Sequence, residues 1–100
     1  MVVRVIAKAT LRTFWERHPP AAGPLKSWFS LVSAASWRSP ADVKTMFGAT
    51  VDFVADNRVI FDIGGNKYRL IVRVSYEYGQ VLIKFVGTHA EYDRIDARSV

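Results

Sequence analysis

The sequence predicts an α+β fold of two layers, with helices of the first half covering one face of a mostly antiparallel sheet formed by the second half. Three observations predict it. Apolar residues recur at helical spacing up to about residue 47, strand-like alternation begins near residue 58, and turn residues separate the alternating runs. Because 100 residues bury a single core, we expect one domain over residues 1–100.

The first half predicts a short strand followed by helices. Val2–Ile6 is a β-rich run, and two stretches of helical spacing follow it, separated by Pro19 and Pro20, which a helix does not tolerate in its interior. The apolar positions of these stretches are Ala7, Leu11, Phe14 and Trp15 in the first and Leu25, Trp28, Phe29 and Val32 in the second. We expect the second helix to end near Trp37, and a short third helix to run from an N-cap at Ser39 to Gly48.

The second half predicts antiparallel hairpins. Alternating runs occupy residues 58–63, 67–76 and 81–87, and the separating segments, 64–66 and 77–80, both contain glycine. With Tyr78-Gly79 at the tip of the last hairpin, Arg73 should lie opposite Lys84 and Arg69 opposite Thr88.

That register would gather cations on one sheet face. The other face would be apolar and covered by the helices; its expected members are Tyr68, Leu70, Val72, Val74, Val81, Ile83 and Phe85. Because like charges opposite each other destabilise a strand pair, Arg73 facing Lys84 suggests a bound anion. The alternative is a solvated face whose cations pair with Asp62, Glu77 or the acids near the C-terminus.

A capping box follows the last predicted strand. In Thr88-His89-Ala90-Glu91, the side chains of Thr88 and Glu91 can each satisfy a backbone amide at the start of a short helix. His89 would then lie in its first turn, with Tyr92 on the same side and both near the cationic face.

These residues suggest cleavage of RNA without a metal. Such cleavage needs a base for the ribose 2′-hydroxyl, an acid for the leaving oxygen and fixed cations for the phosphate. His89, Tyr92 and the set of Lys84, Arg69 and Arg73 could fill these roles, and DNA lacks the 2′-hydroxyl. We expect no cofactor and no metal site, because the acids show no ligand spacing.

The segment GGNKYRLIVRVSYEYGQVLIKFVGTHAEYDRIDA resembles the HigB family of toxins from type II toxin-antitoxin systems, within the RelE-like group. The resemblance implies a RelE-like fold and cleavage of messenger RNA at the ribosome. It nominates Asn66 and Lys67 beside the cations, His89 and Tyr92. It also implies a cognate helix-turn-helix antitoxin, HigA-like, with operator DNA bound only through the complex of toxin and antitoxin.

The charge pattern also favours a nucleic-acid partner. The formal net charge is +5, and residues 1–50 hold seven Lys or Arg against two acids. Lys8 and Arg12 on the first predicted helix could grip ribosomal RNA, although a solvated helix face explains them equally well. With no cysteine, and no long apolar run, we expect a cytoplasmic protein that does not enter a membrane.

Two other functions fit parts of the pattern. The same basic face could serve a non-catalytic RNA-binding module, with His89 belonging only to the helix cap. The three tryptophans, Trp15, Trp28 and Trp37, could instead form a protein-interaction surface, although their spacing suits a core.

Overall fold

The computed structural model describes residues 3–100 and arranges helices and strands in two layers, which confirms the α+β prediction. The strands are β1 (Arg4–Ile6), β2 (Val51–Val54), β3 (Arg58–Ile63), β4 (Tyr68–Ser75) and β5 (Gln80–Thr88). The helices are α1 (Lys8–Arg17), α2 (Ala22–Ser33), α3 (Pro40–Phe47) and α4 (His89–Tyr92). Short 3-10 turns, Pro19–Ala21 and Gly48–Thr50, precede α2 and β2. The predicted end of α2 near Trp37 is wrong by one turn, because the helix stops at Ser33.

The strands form one five-stranded sheet in the order β1-β5-β4-β3-β2. Strands β2 to β5 pair antiparallel in chain order, while β1 pairs parallel with β5. The predicted N-terminal strand is confirmed from Arg4 onward, and Val2 lies outside the described residues. Lys67, predicted to begin a strand, lies in the turn before β4.

The core lies between the helices and one face of the sheet. Leu11 and Leu25 are fully buried there, and Phe61 forms edge-to-face contacts with Trp28 and Phe47. The tryptophan at position 37 is also buried and stacks on Phe61. Buried aromatic pairs add to the stability gained from area burial alone. Two of the three tryptophans are therefore core residues.

The predicted register of the last hairpin is wrong. Arg73 lies opposite Leu82 and Arg69 opposite Gly87. Four residues connect the strands, because the last pair before the turn is Ser75 with Gln80. Arg73 and Lys84 therefore do not face each other, and the like-charge pair that suggested a bound anion is absent.

A β-bulge in β5 moves one predicted core residue to the other face. Ile83 pairs with Val72 and Phe85 with Ile71, so Lys84 is an extra residue between the two pairs. Phe85 consequently lies on the face that points away from the helices, which we call the outer face, and not on the apolar face where strict alternation predicted it.

The shifted Phe85 ring covers Gly87. A Cβ built on Gly87 would lie 2.5 Å from Cζ of Phe85 and 3.2 Å from Cβ of Glu91. We expect Gly87→Ala to destabilise the protein by about 1–3 kcal/mol, because the ring must leave its place. Gly23→Ala in α2 is the matched control: its Cβ would meet nothing within 4 Å, so up to about 1 kcal/mol of stabilisation is expected. Denaturant unfolding measures both, and an unchanged midpoint for Gly87→Ala would contradict this packing.

The outer face is partly covered by the chain that follows α4. Ile60 and Ile71 point away from the helices and are nevertheless buried. Tyr92 contacts Arg69 near one end of β4, and the carbonyl of Val100 accepts a hydrogen bond from Nε of Arg58 near the other end. The last residues therefore run along the β3 side of this face. No helix within residues 3–100 is long and apolar enough to cross a membrane.

Candidate functional site

A fixed arginine forms the centre of the site. The Arg69 side chain is 11 % exposed, and its Nε lies 3.2 Å from Oδ1 of Asp62 on the neighbouring strand. Its Nη2 donates to Oδ1 of Asn66 at 2.6 Å, and the guanidinium carbon lies 5.7 Å from the centre of the Tyr92 ring. These contacts hold the guanidinium in one orientation at the β4 end that adjoins α4, and we call Arg69 with Asp62, Asn66 and Tyr92 the Arg69 cluster. The alternative in which a cation of this face pairs with Asp62 thus holds for Arg69.

The capping box predicted from the sequence is present and fixes the start of α4. The hydroxyl of Thr88 accepts from the amide of Glu91 at 3.2 Å, and Oε1 of Glu91 accepts from the amide of Thr88 at 2.8 Å. The amide of His89 donates to the carbonyl of Lys67 at 3.1 Å, which ties the helix to the turn before β4. Tyr92 and His89 thereby keep a defined place relative to Arg69.

The capping box also makes stability depend on pH. The hydrogen bond from the Thr88 amide lowers the pKa of Glu91 from its usual 4.5, and the nearby side chains of His18 and Arg17 act on this pKa in the same direction. The pKa of Glu91 is lower in the folded protein than in the unfolded chain. Its carboxylate therefore stabilises the fold above about pH 4.5, and this stabilisation is lost as the pH falls through the pKa of Glu91 in the folded protein.

We expect Thr88→Ala to cost about 1 kcal/mol at neutral pH, since the N-cap acceptor for the Glu91 amide is lost. The loss should shrink below the pH at which Glu91 becomes protonated, because the Thr88 hydroxyl also bonds to the Glu91 carboxylate and helps to lower its pKa. Thermal unfolding between pH 3 and 7 measures this, with Thr45→Ala on α3 as a control hydroxyl outside the capping box. Equal losses at both ends of the pH range would contradict the coupling.

His89 is accessible and oriented by a carboxylate. Its ring is 46 % exposed, its Nδ1 lies 3.1 Å from Oδ2 of Asp93, and its centre lies 6.5 Å from that of the Tyr92 ring. With the proton on Nδ1 donated to Asp93, Nε2 is free to accept a proton from a substrate. Asp93 was not singled out from the sequence. The feature that points to Asp93 is its position four residues after His89, because residues at this spacing are neighbours on a helix.

The other predicted cations lie apart from this group. Arg73 is on the outer face like Arg69, but four residues further along β4, which corresponds to roughly 13 Å between their Cα atoms. Its Nη2 pairs at 3.2 Å with Asp56, which also holds the buried Arg58. Arg58 and Arg73 are direct cross-strand neighbours, so Asp56 screens a like-charge pair that the sequence did not reveal.

Lys84 lies at the bulge, between the positions of Arg69 and Arg73 along the hairpin. It is half-buried, and no carboxylate within residues 3–100 forms an ion pair with it. Bulges re-aim side chains and are frequent next to active sites. Lys84 therefore lies on the strand that leads to His89, but it is not a member of the Arg69 cluster.

Lys8 and Arg12 lie in the helical layer, on the side of the sheet opposite Arg69. The ammonium group of Lys8 lies 4.2 Å from the centre of the Phe29 ring on α2. Both residues line an open groove between α1 and α2 whose other walls are Trp15, Lys26, Phe29 and Ser30. Phe29, predicted to cover the sheet, is half-buried in this groove. These two cations cannot act on the same phosphate as Arg69.

The end of α1 supplies two residues that sequence reasoning did not place near the site. Arg17 and His18 are close enough to Glu91 to act on its pKa, and the His18 ring stacks on Phe14 at 4.4 Å. No motif in the sequence links them to α4, because their proximity depends on how α1 packs on β5. Within the described part of the chain, no three His, Asp or Glu side chains form a group that could hold a metal ion.

Comparison with known proteins gives the family. Residues 21–95 match the family HigB_toxin, described as the RelE-like toxic component of a toxin-antitoxin system. The chain is 26 % identical over 94 residues to the mRNA interferase HigB of Escherichia coli O6:H1, covering 93 % of this chain and 91 % of that protein. It is also 26 % identical over 92 residues to the mRNA interferase toxin HigB of Escherichia coli K12, covering 91 % and 88 %. Since the family match spans most of the sequence and includes the Arg69 cluster, the chain belongs to the HigB family of RelE-like toxins.

Proposed function

We propose that this chain is the toxin of a type II toxin-antitoxin system and an endoribonuclease that cleaves messenger RNA on the ribosome without a metal. The observation that carries the proposal is the joint placement of an immobilised guanidinium, a phenol and a carboxylate-oriented imidazole in Arg69, Tyr92 and His89. The relatives named mRNA interferase support the same activity.

The proposed reaction uses each group once. Nε2 of His89 takes the proton of a ribose 2′-hydroxyl, and the 2′-oxygen attacks the adjacent phosphorus. Arg69 binds the phosphate and stabilises the negative charge that builds there. The bond from phosphorus to the 5′-oxygen breaks, and the phenol of Tyr92 supplies the proton that this oxygen needs. The products are a 2′,3′-cyclic phosphate and a free 5′-hydroxyl.

The remaining predicted residues take supporting roles in this proposal. Asn66 holds Arg69 in place through its side-chain oxygen, and Lys67 extends the positive surface beside His89. Lys84 adds a cation for the RNA chain from the bulge. Arg73 is too far along β4 to share the phosphate at Arg69, so we do not include it in the cleaving set.

Ribosome association would use the opposite layer. Lys8 and Arg12 lie on α1, away from the outer face, so they could bind ribosomal RNA while the message occupies the Arg69 cluster. The ribosome would present the message in the bent geometry that an exposed site of a few residues cannot impose alone.

Membership of a toxin-antitoxin family supports our proposals for the partner and the compartment. We propose a HigA-like helix-turn-helix antitoxin that holds the toxin inactive, with operator DNA bound only through the complex. The cytoplasm is the proposed location, because message and ribosomes are there.

The test is cleavage by the purified protein in a defined translation reaction. We expect new 5′ ends on the message when ribosomes are present, and only weak cleavage of free RNA. The amount of cleavage on ribosomes should not fall when the divalent ion of the reaction is exchanged for one that supports translation but not metal hydrolysis. Binding to ribosomes without any new 5′ end would contradict the enzyme and favour a non-catalytic RNA-binding module.

A further inference from the structure

The outer face holds a polar pocket at the end of β4 remote from α4. We call it the distal pocket. It has a volume of about 280 Å³ and is lined by Asn57, Arg73, Val74, Ser75, Gln80 and Leu82. Arg73 is half exposed there, and its Nη2 is held by Asp56 while the remaining guanidinium donors are left for other partners.

The region around the distal pocket holds more arginine side chains than carboxylates. Arg58 and Arg73 share the single carboxylate of Asp56. Arg4 on β1 is exposed and pairs in register with Gln80, so it lies at the rim of the distal pocket. Two guanidinium groups thus share one carboxylate and a third lies at the pocket's rim, and within residues 3–100 Arg4 forms no ion pair and Arg73 none besides that with Asp56.

The neutral side chains of the distal pocket complete a set suited to a phosphate. Asn57, Ser75 and Gln80 can each donate a hydrogen bond, and Arg73 can donate two in parallel. The backbone holds Asp56, the acidic partner of Arg73, in place. Asp56 and Asn57 have φ values of 65° and 59°, which form a tight turn, and this turn brings the Asp56 carboxylate to Arg73.

Different parts of the chain border the two sides of the outer face between Arg69 and Arg73. The chain after α4 runs along the β3 side of the outer face, where Arg58 binds the Val100 carbonyl. The β5 side carries Leu82 and Phe85, which are half-buried, so an aromatic ring lies on the route from Arg69 to Arg73, with Lys84 at the bulge between them in sequence. Such a surface suits a single strand, whose bases stack on aromatic rings while its backbone follows the cations.

We propose that the distal pocket binds a second phosphate of the RNA strand, at least one nucleotide away from the phosphate at Arg69, and so sets the position of the message relative to the cleaved bond. The roughly 13 Å between the Cα atoms of Arg69 and Arg73 is too long for both to hold one phosphate. The assignment of the cleaved phosphate to Arg69 rests on the proposed function. The existence of two separate phosphate subsites does not.

A binding experiment without cleavage tests this inference. The probe is a fluorescent hexanucleotide with every 2′-hydroxyl methylated, titrated with full-length protein at several salt concentrations. For single strands each phosphate contact contributes about 0.7 to the slope of log K against log salt. We expect Arg69→Ala and Arg73→Ala each to reduce the slope by about 0.7, and the double variant by about the sum, because the two contacts are independent.

The control is Lys44→Ala, which removes an exposed cation of α3 and should leave the slope unchanged. A double variant no weaker than either single variant would mean that both arginines hold the same phosphate, and an unchanged slope for Arg73→Ala would mean that the distal pocket holds none. Either result overturns the inference. Because no cleavage is measured, failure of the proposed ribonuclease reaction would not imitate these outcomes.

Discussion

Replacing His89 with alanine should lower the rate of message cleavage by about 10²–10⁴-fold and abolish growth inhibition in cells. The ring is exposed, Nδ1 is engaged by Asp93, and Nε2 is the group left to move a proton. Because an exposed side-chain hydrogen bond such as that from His89 to Asp93 contributes only about 1 kcal/mol, the variant should stay folded. The measurement is single-turnover cleavage of message on ribosomes, accompanied by thermal unfolding.

Two further variants separate chemistry from structure at this residue. Arg94→Ala removes an exposed side chain just after α4 and should cleave normally. Asp93→Asn leaves the imidazole in place but weakens its orientation, so we expect a smaller fall in rate with little change in the affinity for ribosomes. Full cleavage by folded His89→Ala protein would show that another group moves the proton.

Replacing Arg69 with alanine should reduce cleavage by about 10²–10³-fold, the usual cost of one donor to a charge that develops in the transition state. It should also destabilise the protein, because Asp62 would keep a partly buried carboxylate without a partner. Single-turnover cleavage and denaturant unfolding of the same preparation measure the two effects.

Arg69→Lys tests whether geometry or charge matters here. Lysine keeps the positive charge but cannot contact Asp62, Asn66 and the Tyr92 ring together, as the planar guanidinium does. We expect this variant to recover only part of the activity lost in Arg69→Ala. Arg38→Ala, on the loop before α3, is the control for loss of a surface arginine. If Arg69→Lys cleaves like the unmodified protein, the fixed orientation has no role.

The layers of the fold could be predicted from periodicity, because burial of one face imposes a repeat of 3.6 on helices and of two on strands. The capping box of α4 could be predicted for a similar reason: Thr88 and Glu91 satisfy each other's amides locally, whatever the rest of the chain does. These features depend on neighbours in sequence.

The features that were predicted wrongly depend on contacts distant in sequence. The bulge at Lys84 changes the parity of β5 midway, and it reflects packing of Phe85 over Gly87 and α4. The sequence predicts one group of cations because Arg69 and Arg73 share a sheet face, but four residues of extended strand separate them and the register of the hairpin does not bring Lys84 opposite Arg73. Arg73 pairs with Asp56 and not with a member of the Arg69 cluster. Asp56 lies in the turn between β2 and β3, which belongs to a different hairpin.

The candidate site was predictable to the extent that it is local. His89 and Tyr92 share one short helix, and the structure places Arg69 beside them. Asp93, Arg17 and His18 were missed, the first because one carboxylate among several gave a weak signal, and the others because only tertiary packing of α1 brings them to α4.

The chemistry at the cut ends tests the account most directly. Message cleaved by the purified protein on ribosomes would be isolated and both fragment ends identified by mass spectrometry. Attack by the 2′-hydroxyl, assisted by His89, Tyr92 and Arg69, predicts a 2′,3′-cyclic phosphate on the upstream fragment and a 5′-hydroxyl on the downstream one. It also predicts no cut when the nucleotide before the bond is 2′-deoxy. A 3′-hydroxyl paired with a 5′-phosphate would contradict the account, since water and not the ribose would then be the nucleophile.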